Sequence, residues 1–260
     1  MSGGTSSLLT AAGGGTARQA VHSNARPSGD FAAKLTQTEQ LLRQAALHGS
    51  GEGGVTQASS LGAEDVVITH LINALALDIP VFVLETGALH RETLALLERT
   101  EASSRAPVRV YRPQHEQVIS FVRKEGQDAM YRSLDLRKQC CGIRKMEPLA
   151  RALAGKSAWI TGLRREQSNA RADVPAIDTS EVAAKGLTKF NPLADWTWGD
   201  VWHYIALNEV DYNPLHDQFY PSVGCAPCTR AISLGEDFRA GRWWWEDEAA
   251  KECGLHVKAA

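Results

Sequence analysis

The sequence predicts an α/β fold built on a parallel sheet, followed by a helical and loop-rich C-terminal portion and a mobile tail. Three observations predict it. Short apolar runs alternate with longer stretches at helical spacing; that alternation implies right-handed βαβ units. The first two strand candidates each run into a loop of small or polar residues. From Trp196 onward the chain is rich in Trp and poor in strand signals, so that part reads as helices and loops laid over the sheet.

Residues 1–30 are dominated by Gly, Ser, Thr and Ala and read as a disordered leader. No basic start followed by a long apolar stretch marks a secretory signal. Residues 36–47 read as a first amphipathic helix, which the glycine-rich stretch 51–54 breaks. A short strand is expected over 55–58, then a helix from about 63 to 77. A continuous apolar strand over 80–84 leads to a helix near 91–99. A third strand is expected over 108–111, with a helix from 114 to about 124, and a fourth strand over 158–161. A fifth, over 189–192, is placed at an edge because Pro192 cannot donate to a ladder. Residues 31–242 then form one domain, and 243–260 form the tail.

Composition narrows the function. The formal net charge is -2, with 43% hydrophobic and 22% charged residues. No global basic field points to nucleic acid, and any anion site must be built locally from Arg and Lys. No apolar run approaches a membrane span. A cytoplasmic setting is expected, where thiols stay reduced. Five cysteines, Cys140, Cys141, Cys225, Cys228 and Cys253, are then better read as metal ligands or catalysts than as a disulfide framework.

The stretch Ser59-Ser60-Leu61-Gly62-Ala63-Glu64-Asp65 joins the first strand to its helix. Small hydroxyl residues and Gly let backbone N–H groups approach an anion, and the helix N-terminus adds partial positive charge. A plain capped turn would look the same. It is not a Walker loop, because no Gly-Lys-Ser/Thr follows. The adjacent pair Cys140-Cys141 and the pair Cys225-x-x-Cys228 form a four-thiol set. Neighbouring thiolates suit two irons of one cluster better than a single tetrahedral ion, but soft thiolates serve zinc as well as iron–sulfur groups.

These motifs resemble those of the adenylylsulfate and phosphoadenylylsulfate reductase family, in its iron–sulfur-containing branch. The loop 59–65 is similar to that family's modified phosphate loop, with Leu61 in place of a usual Phe. Leu84-Glu85-Thr86-Gly87 with Leu89-His90-Arg91-Glu92-Thr93 resembles its second loop, with Glu85 and Arg91 as departures. Lys138-Gln139-Cys140-Cys141-Gly142-Ile143-Arg144-Lys145, Gly224-Cys225-Ala226-Pro227-Cys228 and Glu252-Cys253-Gly254-Leu255-His256 complete the likeness. It covers the chain from about Thr36 to His256.

The resemblance implies an adenine-nucleotide α-hydrolase-like, Rossmann-like fold. It implies a [4Fe–4S] cluster on Cys140, Cys141, Cys225 and Cys228, and Cys253 as nucleophile. The implied substrate is adenosine 5′-phosphosulfate, reduced to sulfite and AMP through a Cys S-sulfonate that thioredoxin or glutaredoxin discharges. Substrate contacts are implied for Ser59, Ser60, Gly62, Glu64, Asp65, Leu84, Arg144, Lys145, Gly162, Arg171, Arg239, Arg242 and His256. Arg164 and Arg165 add to the positive charge after the fourth strand. The tryptophans are expected to pack in the core rather than to stack bases. A 3′-phosphoadenylylsulfate reductase or a dual-specificity enzyme is the near alternative. An ATP-pyrophosphatase-type ligase with a zinc staple is the further one, and a metal-stabilised binding regulator is the non-enzymatic one. A homo-oligomer is compatible with all of them.

Overall fold

Val55–Ser59 (β1) is buried at four of five positions, as a strand covered on both faces must be. The computed structural model describes residues 18–48 and 53–247. In chain order the helices are α1 (Gln19–Asn24), α2 (Phe31–His48), α3 (Ala63–Ala74), α4 (Arg91–Ser103), α5 (His115–Glu125), α6 (Leu134–Cys141), α7 (Glu147–Leu153), α8 (Val182–Lys185) and α9 (Trp198–Leu207). The further strands are β2 (Val81–Leu84), β3 (Val108–Tyr111), β4 (Ala158–Ile160), β5 (Ile177–Asp178) and β6 (Thr188–Phe190).

The sheet order is β3-β2-β1-β4-β6-β5. All pairs are parallel except β5 with β6. The chain winds outward from β1 to β3, then returns to the other side of β1 at β4. Loops after β1 and β4 therefore diverge and leave a crevice at their carboxyl ends, where ligands bind in open α/β sheets. The main core joins the sheet to α2, α3, α4 and α9, including Leu42, Ile68, Leu96 and Trp202. A separate cluster of Phe82, Leu149, Ala152, Trp159 and Leu187 fills the other face under α7.

Several expectations are corrected. The helix expected over 36–47 is α2, which begins at Phe31, five residues before the expected start; Asp200 draws in what precedes it. Its Oδ1 accepts from the Ser28 N–H at 2.7 Å and its Oδ2 pairs with Lys34 at 3.2 Å. Burial alone would raise the Asp200 carboxyl, but bonds from Ser28, Thr197 and Lys34 hold it at about 2. Residues 18–30, assigned to the leader, carry α1, and Asp217 accepts from the Ala20 N–H at 2.8 Å. The strand over 189–192 is Thr188–Phe190, and it lies one place in from the edge. Its pairing ends at Phe190, before Pro192, and the two-residue β5 takes the edge.

The tryptophans pack as expected in part: Trp198 and Trp245 are half-buried and Trp244 is exposed. Trp196, Trp202 and Trp243 are fully buried, and the Trp196 indole donates to Thr38 Oγ1 at 2.9 Å. No helix among the described residues is long and apolar enough to cross a membrane.

Candidate active site

The turn after β1 folds back on the helix that follows it. Asp65, in the first turn of α3, accepts from the Ser60 N–H at 2.6 Å and from its hydroxyl at 2.7 Å. Ser59 Oγ accepts from the Leu61 N–H at 3.2 Å. Leu61 is buried with φ of 61°, a left-handed conformation that is strained for a side chain of this size. The two serines are spent on shaping the loop. Burial raises the Asp65 carboxyl to about 6, against the Ser60 bonds that lower it.

Glu64, beside it, is held from β4's side. Arg164 Nε donates to its Oε1 at 3.0 Å and Gln167 Nε2 at 2.9 Å. Gly162 permits this closure of the β1 and β4 loops: a Cβ there would sit 2.5 Å from Asp65 Oδ1 and 2.9 Å from Glu64 Cβ. Gly162→Ala is therefore expected to destabilise the fold by ~1–3 kcal/mol, the usual result of overpacking. A thermal melt checks this; an unchanged melt would show that the loops have room.

A cavity of about 200 Å³ opens here. Of the predicted contact residues, Ser59, Ser60, Gly62, Glu64, Asp65, Leu84, Lys145, Gly162, Arg171, Arg239 and Arg242 line it. Phe82, Leu149 and Trp159 give it an apolar wall. Thr86, Thr161, Gln167, His216 and Phe238 line it too; sequence reasoning missed them. Thr86 and His216 lay in stretches that resemble the family's motifs, Leu84-Glu85-Thr86-Gly87 and Tyr212-Asn213-Pro214-Leu215-His216, without being given a role.

Arg144 is placed differently from expectation. It does not line the cavity, and its Nη1 donates to the Thr86 carbonyl at 2.6 Å. Arg164 and Arg165 do not add free positive charge to the cavity. Arg164 is fully buried between Glu64, Glu166 and the Trp196 carbonyl, and Arg165 pairs with Asp195. Arg171 donates to Gln167 Oε1 at 2.6 Å, and Arg242 to the Val223 carbonyl at 3.1 Å. Cys253 and His256 lie outside the described residues.

The four remaining cysteines lie on two segments near this cavity, with Cys140, Cys225 and Cys228 close enough to act on one another electrostatically. Ser133 caps α6, accepting from the Leu136 N–H at 3.2 Å, and α6 carries Cys140 and Cys141 at its end. The chain continues as a wider π-turn over Gly142–Met146, a form that recurs at functional sites. That turn sends Lys145 to the cavity and Arg144 to the second loop. Cys225 and Cys228 are brought up by an antiparallel bridge between Leu89 and Cys225 and by the Ala226 N–H, which donates to the Ala88 carbonyl at 2.7 Å. Thr86 Oγ1 lies 3.2 Å from Cys225 Sγ.

Cys140, Cys225 and Cys228 are buried and Cys141 is half-buried. Burial pushes the Cys140 thiol up, and the Cys228 thiol to about 12; Lys145 acts on both in the opposite direction. Buried thiols of this kind carry charge readily only once a metal replaces their protons. Among the described residues no group of three or more His, Cys, Asp or Glu side chains is placed so as to hold a metal ion; the four thiols are soft donors of the type that suits zinc or an iron–sulfur group. Next to them Arg137, fully buried, donates to both carboxylate oxygens of Glu246 at 2.9 and 2.7 Å and stacks over Trp243. Residues 243–247, expected to belong to the tail, are thereby packed against α6.

Comparison with known proteins bears on this geometry. Residues 54–231 match the phosphoadenosine phosphosulfate reductase domain. The chain is 54% identical over 199 residues to an adenosine 5′-phosphosulfate reductase of Allochromatium vinosum, covering 76% of this chain and 77% of that protein. It is 49% identical over 228 residues to the enzyme of the same name from Burkholderia cepacia, covering 88% and 89%. Among solved structures, a phosphoadenylyl-sulfate reductase from Candida auris superposes with a TM-score of 0.61 at 27% identity, over 73% of this chain and 88% of that one.

Proposed function

The chain belongs to the phosphoadenosine phosphosulfate reductase domain family, and we propose that within it this protein reduces adenosine 5′-phosphosulfate to sulfite and AMP, in sulfate assimilation. The observation that carries the reading is the position of Lys145. It lines the nucleotide cavity and acts electrostatically on Cys140 and Cys228. One cation thus serves an anionic substrate and a thiolate site together. The names of the bacterial relatives favour the unphosphorylated nucleotide.

The reaction proposed has two displacements. The Cys253 thiolate attacks the sulfur of the phosphosulfate; the S–O bond breaks, and AMP leaves with the bridging oxygen and its electron pair. The product is a Cys253 S-sulfonate. A dithiol protein of the thioredoxin or glutaredoxin class then attacks the Cys253 sulfur, sulfite leaves, and the second thiol resolves the mixed disulfide. The dithiol supplies both electrons. Lys145, Arg171, Arg239 and Arg242 offset the repulsion between a thiolate and a dianion. Arg144, from outside the cavity, holds the second loop through Thr86. Cys140, Cys141, Cys225 and Cys228 would hold a [4Fe–4S] cluster; bound there, it supplies a fixed charge and cross-links α6 to the 225–228 turn.

Steady-state sulfite release with each nucleotide, with and without reduced thioredoxin, tests the function. The expected result is strict thioredoxin dependence and a kcat/KM at least about tenfold higher for adenosine 5′-phosphosulfate than for its 3′-phosphorylated form, equivalent to ~1.4 kcal/mol. Equal values would make the enzyme dual-specific. A preference for the 3′-phosphorylated nucleotide would overturn the substrate assignment, and no sulfite from either would overturn the function.

A further inference from the structure

His216 lines the cavity, and one of its ring nitrogens is used by no step of the reaction. It sits on the turn Pro214–Gln218 and is buried. Its ring stands edge-on to Trp198 and Trp202, with centroids 6.0 and 5.4 Å away. Nδ1 lies 2.8 Å from the Tyr220 carbonyl oxygen. A carbonyl only accepts, so Nδ1 must carry the hydrogen. Nε2 is then a lone-pair acceptor, and it has no hydrogen-bond partner among the described residues although it is buried. Burial holds the imidazole below its ordinary pKa, partly countered by Glu64, and favours this neutral form.

A buried acceptor left without a donor is unfavourable. Because His216 lines the cavity, the missing donor is expected on the ligand. An adenine nucleotide offers few. Its phosphosulfate is ionised and only accepts. Its base suits the apolar wall of Phe82, Leu84, Leu149 and Trp159, which lies on the α7 face of the sheet. His216 comes from the opposite side, packed on Trp202 of α9 and electrostatically within reach of Glu64 on α3. The groups left are the hydroxyls of the sugar.

We infer that His216 Nε2 accepts a hydrogen bond from a ribose hydroxyl of the bound nucleotide, so that His216 reads the sugar and fixes its orientation against the cation cluster. The inference rests on the reading that an adenine ribonucleotide fills this cavity. The residue touches the substrate far from the reacting sulfur, so its effect belongs in binding and orientation.

The test is a cycle of equilibrium titrations. AMP, 2′-deoxy-AMP and 3′-deoxy-AMP are titrated into the wild type, His216→Phe and His216→Gln. His216→Phe keeps a ring for Trp198 and Trp202 but removes the acceptor; His216→Gln keeps a shorter acceptor. The expected result is about tenfold weaker AMP binding in His216→Phe, equivalent to ~1.4 kcal/mol. One deoxynucleotide should bind the wild type as weakly, and His216→Phe should bind that analogue no more weakly than the wild type does. Which analogue behaves so names the hydroxyl. An equal loss for all three nucleotides, or for none, overturns the assignment. A loss that extends to inorganic phosphate would mean that a protonated His216 serves the anion, and it too overturns the assignment. If His216→Phe fails to fold, the His216→Gln data and the deoxy penalty in the wild type decide, since no penalty for either analogue rejects a sugar contact. Release of AMP from adenosine 5′-phosphosulfate by the wild type is measured in parallel. Its absence would sink the proposed reaction while leaving the sugar contact to stand or fall on the titrations.

Discussion

Serine at any one of positions 140, 141, 225 or 228 is expected to strip the protein of iron and most of its activity while leaving the sheet folded. The two pairs reach the site by separate routes: Cys140 and Cys141 at the end of α6, Cys225 and Cys228 on a turn bridged to Leu89. Each thiolate is proposed as a ligand of one group, so the loss of one should open it. Loss of a residue that only supports a metal ligand commonly costs 10–100-fold in affinity, and loss of a ligand should exceed ~100-fold. Iron content and the visible absorption of anaerobically purified protein read this directly. The core clusters around β1 and α7 contain none of these cysteines, so far-ultraviolet circular dichroism should change little. Full iron in two of the four variants would reject the four-ligand assignment. A colourless wild type holding one zinc would replace the cluster with a staple.

Much of the site was legible because its parts are local. Ser59 to Asp65 join a strand to a helix within seven residues, and the bonds from Ser60 to Asp65 span only five positions. Hydroxyl and carboxylate types at that spacing are enough to infer the turn. The strands β1 to β4 were legible because apolar runs bounded by turns need no distant partner to be recognised. Elements set by distant residues were not. β5 has two residues and exists because β6 pairs with it. The 3₁₀ turn Ala129–Tyr131 and the helices α6 and α7 show no clear period in the sequence, since a π-turn at 142–146 interrupts the helical repeat.

Charge was the least legible property. Arg164 and Arg171 look alike in sequence, seven positions apart. Arg164 is consumed by Glu64, 100 residues away, and by Glu166, whereas Arg171 lines the cavity. Arg144 and Lys145 are neighbours, and one turn of π-helix points them to different places. Residue type told where cations cluster along the chain; folding decided which of them face the ligand. His216 stands in the stretch Tyr212-Asn213-Pro214-Leu215-His216, which resembles the family's pattern, but that gave it no role, because its meaning depends on Tyr220 satisfying one ring nitrogen and leaving the other bare.

Cys253 carries the largest expected effect. Mixing the enzyme with stoichiometric adenosine 5′-phosphosulfate, without a reductant, should release one AMP per site and then stop. The protein should gain the mass of one SO₃ group, roughly 80 Da, on Cys253, as an arrested covalent intermediate requires. Reduced thioredoxin should discharge it as sulfite and return the free thiol. Cys253→Ser should keep its iron and bind AMP normally, because none of the described cavity residues is altered. It should form no adduct, since a hydroxyl without a base beside it is a far weaker nucleophile than a thiolate. Sulfite formation should fall by at least ~10³-fold, within the range seen when a catalytic nucleophile is removed. Glu246 is anchored to Arg137 beside α6, and Cys253 follows seven residues later. An adduct on Cys140, Cys141, Cys225 or Cys228, or sulfite at the normal rate in Cys253→Ser, would refute the mechanism and leave the family assignment standing.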